Sequence, residues 1–189
     1  NGLDEERIRM QWREIDEVNE NLNDFIILKG IECDILSDGS MDFGDSFLSE
    51  FDIVIASIHS NLRMTEEKSM NRLLSAINNP NVHMLGHMTG RLILGRHGYP
   101  VDHNKIIEAC RDTGTVIEIN ANPRRLDIDY EYLMECQKQG VLISINPDAH
   151  SVKGIDDIRY GVISGRRGGL IKTNCINTFE VGEFIEAMK

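Results

Sequence analysis

The sequence predicts an α/β fold in which parallel β-strands alternate with helices. Short apolar segments rich in Val and Ile recur along the 189 residues, and segments with helical periodicity lie between them. Strands that are apolar along their whole length are typical of parallel sheets, since both faces of such sheets are covered. The composition, 41% hydrophobic and 27% charged, is that of an ordinary globular domain.

The helices follow a spacing of three to five residues between apolar positions. They are predicted over residues 4–23, 65–79, 101–114 and 128–140, from about residue 155, and over 180–188. Asp4, Thr65 and Asp102 precede three of these segments and can cap their first turns. Gly114 and Gly140 follow two of them and are suited to end a helix.

Five strands are predicted between the helices, over residues 25–36, 51–59, 81–87, 115–122 and 141–150. Two architectures fit this order, an open doubly wound sheet and a closed βα barrel. No GxGxxG segment opens a helix after a strand, so nothing supports a dinucleotide site. There is no repeat or long linker, and the chain is predicted to form one domain.

The formal net charge of −11 disfavours strong nucleic-acid binding by the isolated chain and suits a protein that holds divalent cations. No apolar run approaches the roughly 20 residues that span a bilayer, so no membrane association is expected. The four cysteines are far apart and form no CxxC pair. This spacing favours reduced, packing cysteines and a cytoplasmic setting.

Each predicted strand ends in a residue that can coordinate a metal or donate a hydrogen bond. These residues are Glu32, His59, His87, Asn120 with Asn122, and Asp148 with His150. In parallel βα folds the carboxyl ends of the strands form the active-site face. Imidazole and carboxylate together are typical ligands of zinc, manganese and iron. Paired cations of this kind suit phosphoryl hydrolysis.

Each residue also has an ordinary interpretation. A single histidine such as His59 or His87 is more often a satisfied polar side chain than a ligand. Asp148 and His150 indicate a site more strongly, because residues two apart on a strand point to the same side. Arg91 could contact a substrate phosphate or lie free on the surface, and Asn120 could hold a water or a phosphate. Together, five residues at four strand ends predict a metal site: Glu32, His59, His87, Asp148 and His150.

Five segments carry a resemblance to a known family: ILKGIECDIL, DIVIASIHS, LGHMTGRLIL, EINANPRRLD and INPDAHS. Together they resemble the PHP (polymerase and histidinol phosphatase) domain, and most closely its version at the carboxyl end of bacterial and archaeal family X DNA polymerases. The resemblance covers almost the whole chain, and its segments occur in the same order as in the family. It implies a distorted seven-stranded, TIM-like βα barrel with up to three divalent metals, zinc or manganese. It also implies hydrolysis of phosphate esters, with 3′–5′ exonuclease activity and DNA 3′-end processing beside a polymerase and a role in DNA repair.

The resemblance assigns roles to individual residues. Glu32 matches a bridging glutamate, and His59 and His87 match the histidines that share a metal with it. Asp148 matches a ligand of the neighbouring metal, and His150 a ligand of the third. Glu32, His59 and Asp148 are the expected catalytic residues, and Arg91 and Asn120 are expected to contact substrate.

The sequence departs from the family in one large respect, since it contains no His-x-His pair. Family members carry that pair on their first strand. We therefore expect residues 1–189 to form a PHP domain that lacks its first two βα units, an incomplete (β/α)7 barrel with five parallel strands. Uncovered strand edges would favour a dimer or a strand swap. Two other functions fit the same ligands, a stand-alone phosphatase of the histidinol-phosphate type and a non-catalytic scaffold stabilised by metal.

Overall fold

One parallel sheet organises the chain. The computed structural model describes residues 2–188, and its strands pair in parallel in the order β1-β2-β3-β4-β5. The strands are β1 (Gly30–Asp34), β2 (Ile53–Ser57), β3 (Met84–Leu85), β4 (Val116–Asn120) and β5 (Ile143–Asn146). Across the described residues the α-helices are α1 (Glu5–Asn19), α2 (Asp45–Leu48), α3 (Glu66–Ile77), α4 (His103–Thr113), α5 (Leu133–Gln139), α6 (Ile158–Arg167) and α7 (Val181–Ala187). None of these helices combines the length and the apolar character needed to cross a membrane.

The strand order distinguishes between the two predicted architectures. In a doubly wound sheet the order reverses at a switch point, and helices cover both faces. Here each strand pairs with the next one along the chain. Because parallel connections are almost always right-handed, an unreversed order places the intervening helices on one face. The α/β prediction is confirmed, and the arrangement is compatible with a partial TIM-like barrel.

The first strand is shorter than the predicted segment 25–36. The side chain of Asn19, at the end of α1, accepts a hydrogen bond from Ile27 N at 2.8 Å and donates one to Ile27 O at 2.9 Å. These bonds take the backbone of Ile27 out of the sheet. Pairing with β2 begins only at Lys29, whose carbonyl accepts from Asp52 N.

The third strand is reduced to two residues for a similar reason. His83 precedes it, and its Nδ1 accepts a hydrogen bond from Val54 N at 3.0 Å, so a side chain takes the place of a backbone partner. Burial lowers the pKa of His83, which keeps the ring neutral and able to accept this bond.

The predicted helix caps are confirmed. The side chains of Asp4, Thr65 and Asp102 accept from backbone N–H groups in the first turns of α1, α3 and α4. Gly114 and Gly140 end α4 and α5 with φ of 78° and 76°, a left-handed conformation that glycine adopts without a steric penalty. The predicted helix over 128–140 begins late, because a 3₁₀ turn (Tyr130–Tyr132) precedes α5.

The core lies between the sheet and the helices. Trp12 of α1 stacks on Phe47 and meets Phe51 edge-on, with ring centroids 5.6 and 4.9 Å apart, so an aromatic cluster attaches α1 to the segment before β2. The four cysteines are buried and unbonded, as the packing interpretation predicts. β4 is buried over its whole length.

Local segments of the chain cover part of both sheet edges. At β5, the side chain of Asn177 accepts from Ile145 N at 2.7 Å and donates to Ile145 O at 2.9 Å. At β1, Asp42 N donates to Asp34 O at 3.0 Å. A dimer or strand swap stays a prediction.

His83→Ala should lower the free energy of unfolding at about pH 7.5 by about 1 kcal/mol, since Val54 N–H loses its acceptor. The pKa of His83 is lower in the folded chain than the ordinary 6.5, so the unfolded chain binds more protons on acidification. The contribution is therefore complete above pH 6.5 and is lost as the pH falls through the folded-state pKa. Urea unfolding at several pH values should show the gap narrowing in acid. His97→Ala, at an exposed position, is the control, and an equal effect of both variants would refute this role.

Candidate metal centre

Three of the predicted ligands meet at the carboxyl ends of the first three strands. Glu32 lies in β1, and His59 and His87 each follow their strand by two residues. Glu32 Oε1 is 3.3 Å from His59 Nε2 and 3.0 Å from His87 Nε2. The ligand atoms of the three residues all lie within 4.8 Å of one another, a spacing that could hold a metal ion. We call this group the Glu32 cluster.

The burial of His87 indicates that the cluster fits a cation. Its side chain is 2% exposed, and neither ring nitrogen has a partner in hydrogen-bond geometry within residues 2–188. Leaving a buried polar atom unpaired costs about 1–3 kcal/mol. A cation at the point where Nε2 faces Glu32 would satisfy that nitrogen. One carboxylate and two imidazoles are ligands that zinc and manganese accept.

A second carboxylate orients His59. Nδ1 of His59 forms a very short hydrogen bond with Asp34 Oδ1, while Nε2 faces Glu32. Metal-binding histidines usually donate their other ring nitrogen to a carboxylate or carbonyl, which fixes the ring. Asp34 lies two residues after Glu32, so both side chains leave β1 on the same face.

The residues of the cluster shift one another's pKa values. The hydrogen bond with Glu32 raises the pKa of His59 to about 9, with Asp34 adding to the effect and burial opposing it. Burial alone would raise the pKa of Glu32, but the close imidazoles of His59 and His87 outweigh it and hold that pKa well below its usual range. A protonated His59 thus supplies positive charge where a cation would supply it.

The buried carboxylate of Glu118 fixes the backbone beneath the cluster. Its Oε2 accepts from His87 N at 2.7 Å and from Asn120 Nδ2 at 3.2 Å, and its Oε1 accepts from Asn146 Nδ2 at 2.9 Å. Burial raises the pKa of Glu118 to about 7, against the lowering effect of Asn146 and of the His87 N–H. Glu118 therefore joins the ends of β3, β4 and β5.

The structure does not bring Asp148 and His150 into the Glu32 cluster. Asp148 Oδ2 accepts from Asn120 Nδ2 at 3.1 Å and lies 3.5 Å from Arg125 Nε. The side chain of His150 is 87% exposed, and its Nδ1 pairs with the Asp148 carbonyl at 2.9 Å. The expectation that five residues form one group is thus met by three, and ligand roles for Asp148 and His150 stay predictions.

Asn120 and Arg91, the two expected substrate-binding residues, form hydrogen bonds within the protein. Asn120 is fully buried, and its amide is bonded to Glu118 and Asp148. The guanidinium of Arg91 donates to Asp129 Oδ2 at 2.6 Å and to the carbonyls of Arg125 and Leu126. Asn120 thus positions Asp148, and Arg91 connects two loops, while the substrate contacts of both residues stay predictions.

Comparison with known proteins gives the cluster a context. The chain is similar to a DNA polymerase. That relative, the DNA polymerase/3'-5' exonuclease PolX of Bacillus subtilis (strain 168), is 47% identical over 177 residues, which are 94% of this chain and 31% of the relative. A probable phosphatase of Clostridium acetobutylicum is 30% identical over 145 residues, 72% of this chain and 57% of that protein. A probable phosphatase of a Thermoanaerobacter species is 29% identical over 173 residues, 86% of this chain and 68% of that protein.

The chain thus spans about a third of the polymerase and just over half of the Clostridium phosphatase. No family model matches it. The similarity to both kinds of protein nevertheless agrees with the resemblance that the strand-end motifs carry.

Reasoning from sequence missed Glu118 and Asp34. An acidic residue inside the otherwise apolar segment VIEIN is the signal for Glu118, because a buried carboxylate needs partners. The two-residue spacing from Glu32 is the signal for Asp34.

Glu118→Gln should destabilise the chain by about 1–3 kcal/mol. Glutamine keeps the shape but replaces one acceptor oxygen with a donor, which then faces Asn146 Nδ2 or His87 N–H. Urea unfolding in EDTA measures the effect without any metal. Glu108→Gln, on the exposed side of α4, is the matched control, and equal stability of the two variants would contradict the role assigned to Glu118.

Proposed function

We propose that this chain is the metal-dependent phosphoesterase module of a PHP domain that belongs to a family X DNA polymerase. Its reaction would be 3′–5′ exonuclease cleavage and processing of DNA 3′ ends. The observation that carries the proposal is the convergence of Glu32, His59 and His87, in which the buried Nε2 of His87 lies 3.0 Å from Glu32 Oε1 but outside hydrogen-bond geometry. The similarity to the Bacillus subtilis polymerase/exonuclease over 94% of the chain supports the choice of substrate.

Glu32, His59 and His87 would hold the first cation, zinc or manganese, and Asp148 and His150 would contribute to neighbouring sites for up to three. Bound there, such ions activate water and neutralise charge on the phosphate oxygens. We propose that the described segment is part of a single domain, an incomplete (β/α)7 barrel whose first two units lie outside this sequence.

The protein residues have distinct tasks in this proposal. Asp34 holds the His59 ring so that Nε2 faces Glu32. Glu118 holds the backbone of His87, and through Asn120 it also reaches the carboxylate of Asp148. A preorganised arrangement of this kind lowers the cost of reorganisation during the reaction.

A stand-alone phosphatase is the second candidate, because two relatives are named probable phosphatases. The two functions differ in substrate. The phosphatase would prefer a small phosphomonoester, and the exonuclease would prefer an oligonucleotide with a free 3′ end.

Glu32→Gln should remove metal binding for two reasons. It removes the negative charge of the carboxylate, and it takes away the carboxylate oxygen that faces both imidazoles. Calorimetric titration with Zn²⁺ and Mn²⁺ after EDTA treatment should show a loss of at least about 100-fold in affinity. Glu108→Gln, exposed on α4, should bind as the unmodified chain does. Absence of tight binding by the unmodified chain would refute the metal centre.

His59→Ala should abolish release of the mismatched 3′ nucleotide from a primer in the presence of Mn²⁺. The assay should use the natural polypeptide that carries this chain, and circular dichroism should verify that the variant is folded. p-Nitrophenyl phosphate tests the second candidate. Faster turnover of the monoester than of the primer would favour the phosphatase, and full activity of His59→Ala would exclude both.

A further inference from the structure

The charge of the chain is unevenly distributed. It contains 31 acidic residues and 20 basic ones, yet no Asp or Glu occurs between Glu67 and Asp102. This acid-free stretch includes the loop that follows β3, residues 86–101. The loop after β4 begins with residues 121–126, which are also free of acidic residues and contain Arg124 and Arg125.

Hydrogen bonds join these two loops into one unit. Ile93 N donates to Arg124 O at 2.6 Å, and Arg91 Nε donates to Arg125 O at 2.8 Å. Within the first loop, Leu92 and Arg96 form an antiparallel bridge. Both loops leave the carboxyl ends of their strands, so this unit forms part of the rim that carries the Glu32 cluster.

The exposed surface of this unit combines cations with an apolar tip. Arg96 and Arg124 are exposed, and neither forms an ion pair with any residue from 2 to 188. Arg96 donates from Nε and Nη2 to Gly90 O at 3.1 and 2.7 Å, which fixes the direction of its guanidinium. Leu94, in the turn between Leu92 and Arg96, is fully exposed at 105% relative accessibility. We call Leu94, Arg96 and Arg124 the basic rim.

The basic rim adjoins the proposed reaction centre. Gly90 N donates to His87 O at 2.8 Å, so the first loop turns away directly from a residue of the Glu32 cluster. Arg125, next to Arg124, lies 3.5 Å from the carboxylate of Asp148. Both loops of this surface are therefore connected to residues of the proposed centre.

We propose that the basic rim binds the backbone of a single-stranded nucleic acid next to its 3′ end. Arg96 and Arg124 would contact phosphates, and Leu94 would pack against a base. This inference rests on the proposed function and extends it by naming the surface that recognises the polymer. The net charge of −11 does not oppose it strongly, because at physiological ionic strength charges beyond about 8 Å are screened. Charges in contact with phosphate dominate instead.

Fluorescence anisotropy with a labelled oligothymidylate, in EDTA so that no hydrolysis occurs, tests this surface. The double variant Arg96→Glu/Arg124→Glu should weaken binding at least about 10-fold and reduce the slope of log K against log salt by about 1.4, since each single-strand phosphate contact contributes about 0.7. Leu94→Ser should weaken binding with an unchanged salt slope, because it removes an apolar contact only.

The matched control is Arg7→Glu/Arg13→Glu, which makes the same change of charge at exposed positions on α1 and should bind as the unmodified chain does. Equal loss in both double variants would show a general charge effect and overturn the proposal. So would undetectable binding by the unmodified chain, or unchanged binding by the rim variants. Failure of the metal centre would appear separately, as absence of metal binding by the unmodified chain in the calorimetric titration, because the anisotropy experiment contains no metal.

Discussion

The buried carboxylate of Glu118 is the constraint on which the candidate site depends. Burying a charged group costs several kcal/mol unless donors surround it. The donors come from His87, Asn120 and Asn146, so the ends of three strands must meet at one point. Gly86 permits the end of β3 to lie close against β2, because a Cβ there would lie 2.4 Å from Ser57 Oγ.

The Glu32 cluster and the basic rim give one edge of the sheet two opposite charge environments. Carboxylates and imidazoles at the ends of the first three strands suit a cation. The loops that follow β3 and β4 carry Arg96 and Arg124, which form no ion pair within residues 2–188. A phosphate ester needs both, since its oxygens must be neutralised at the reacting atom and along the chain.

The strand order explains why residues so distant in sequence act together. Pairing in chain order brings each carboxyl end beside that of the next strand. Arg91 then connects the loop after β3 to the loop after β4 across 34 and 35 residues of sequence. Arg72 has the same function on the other side of the cluster, since it is buried and donates to the carbonyls of Leu36 and Ser60. Each guanidinium donates in several directions and can fix several carbonyls at once.

The sequence by itself determined the local structure and the nearest ligands. Periodicity predicted the helices and strands, capping residues predicted several helix ends, and strand-end positions predicted that Glu32, His59 and His87 meet. These features depend on contacts between neighbouring residues or on the common direction of parallel strands. Residue spacing and residue type are enough to predict both.

Only the tertiary structure decided which of the remaining residues reach the site. Asp148 is directed toward Asn120 and Arg125, and Asn120 is fully buried with its amide bonded to Glu118 and Asp148. The sequence likewise did not identify the partners of Glu118, because two of the three come from the loop after β3 and from β5. The physical reason is the same in each case: loop conformation and buried hydrogen bonds depend on partners about 30 residues away, which spacing within one element does not reveal.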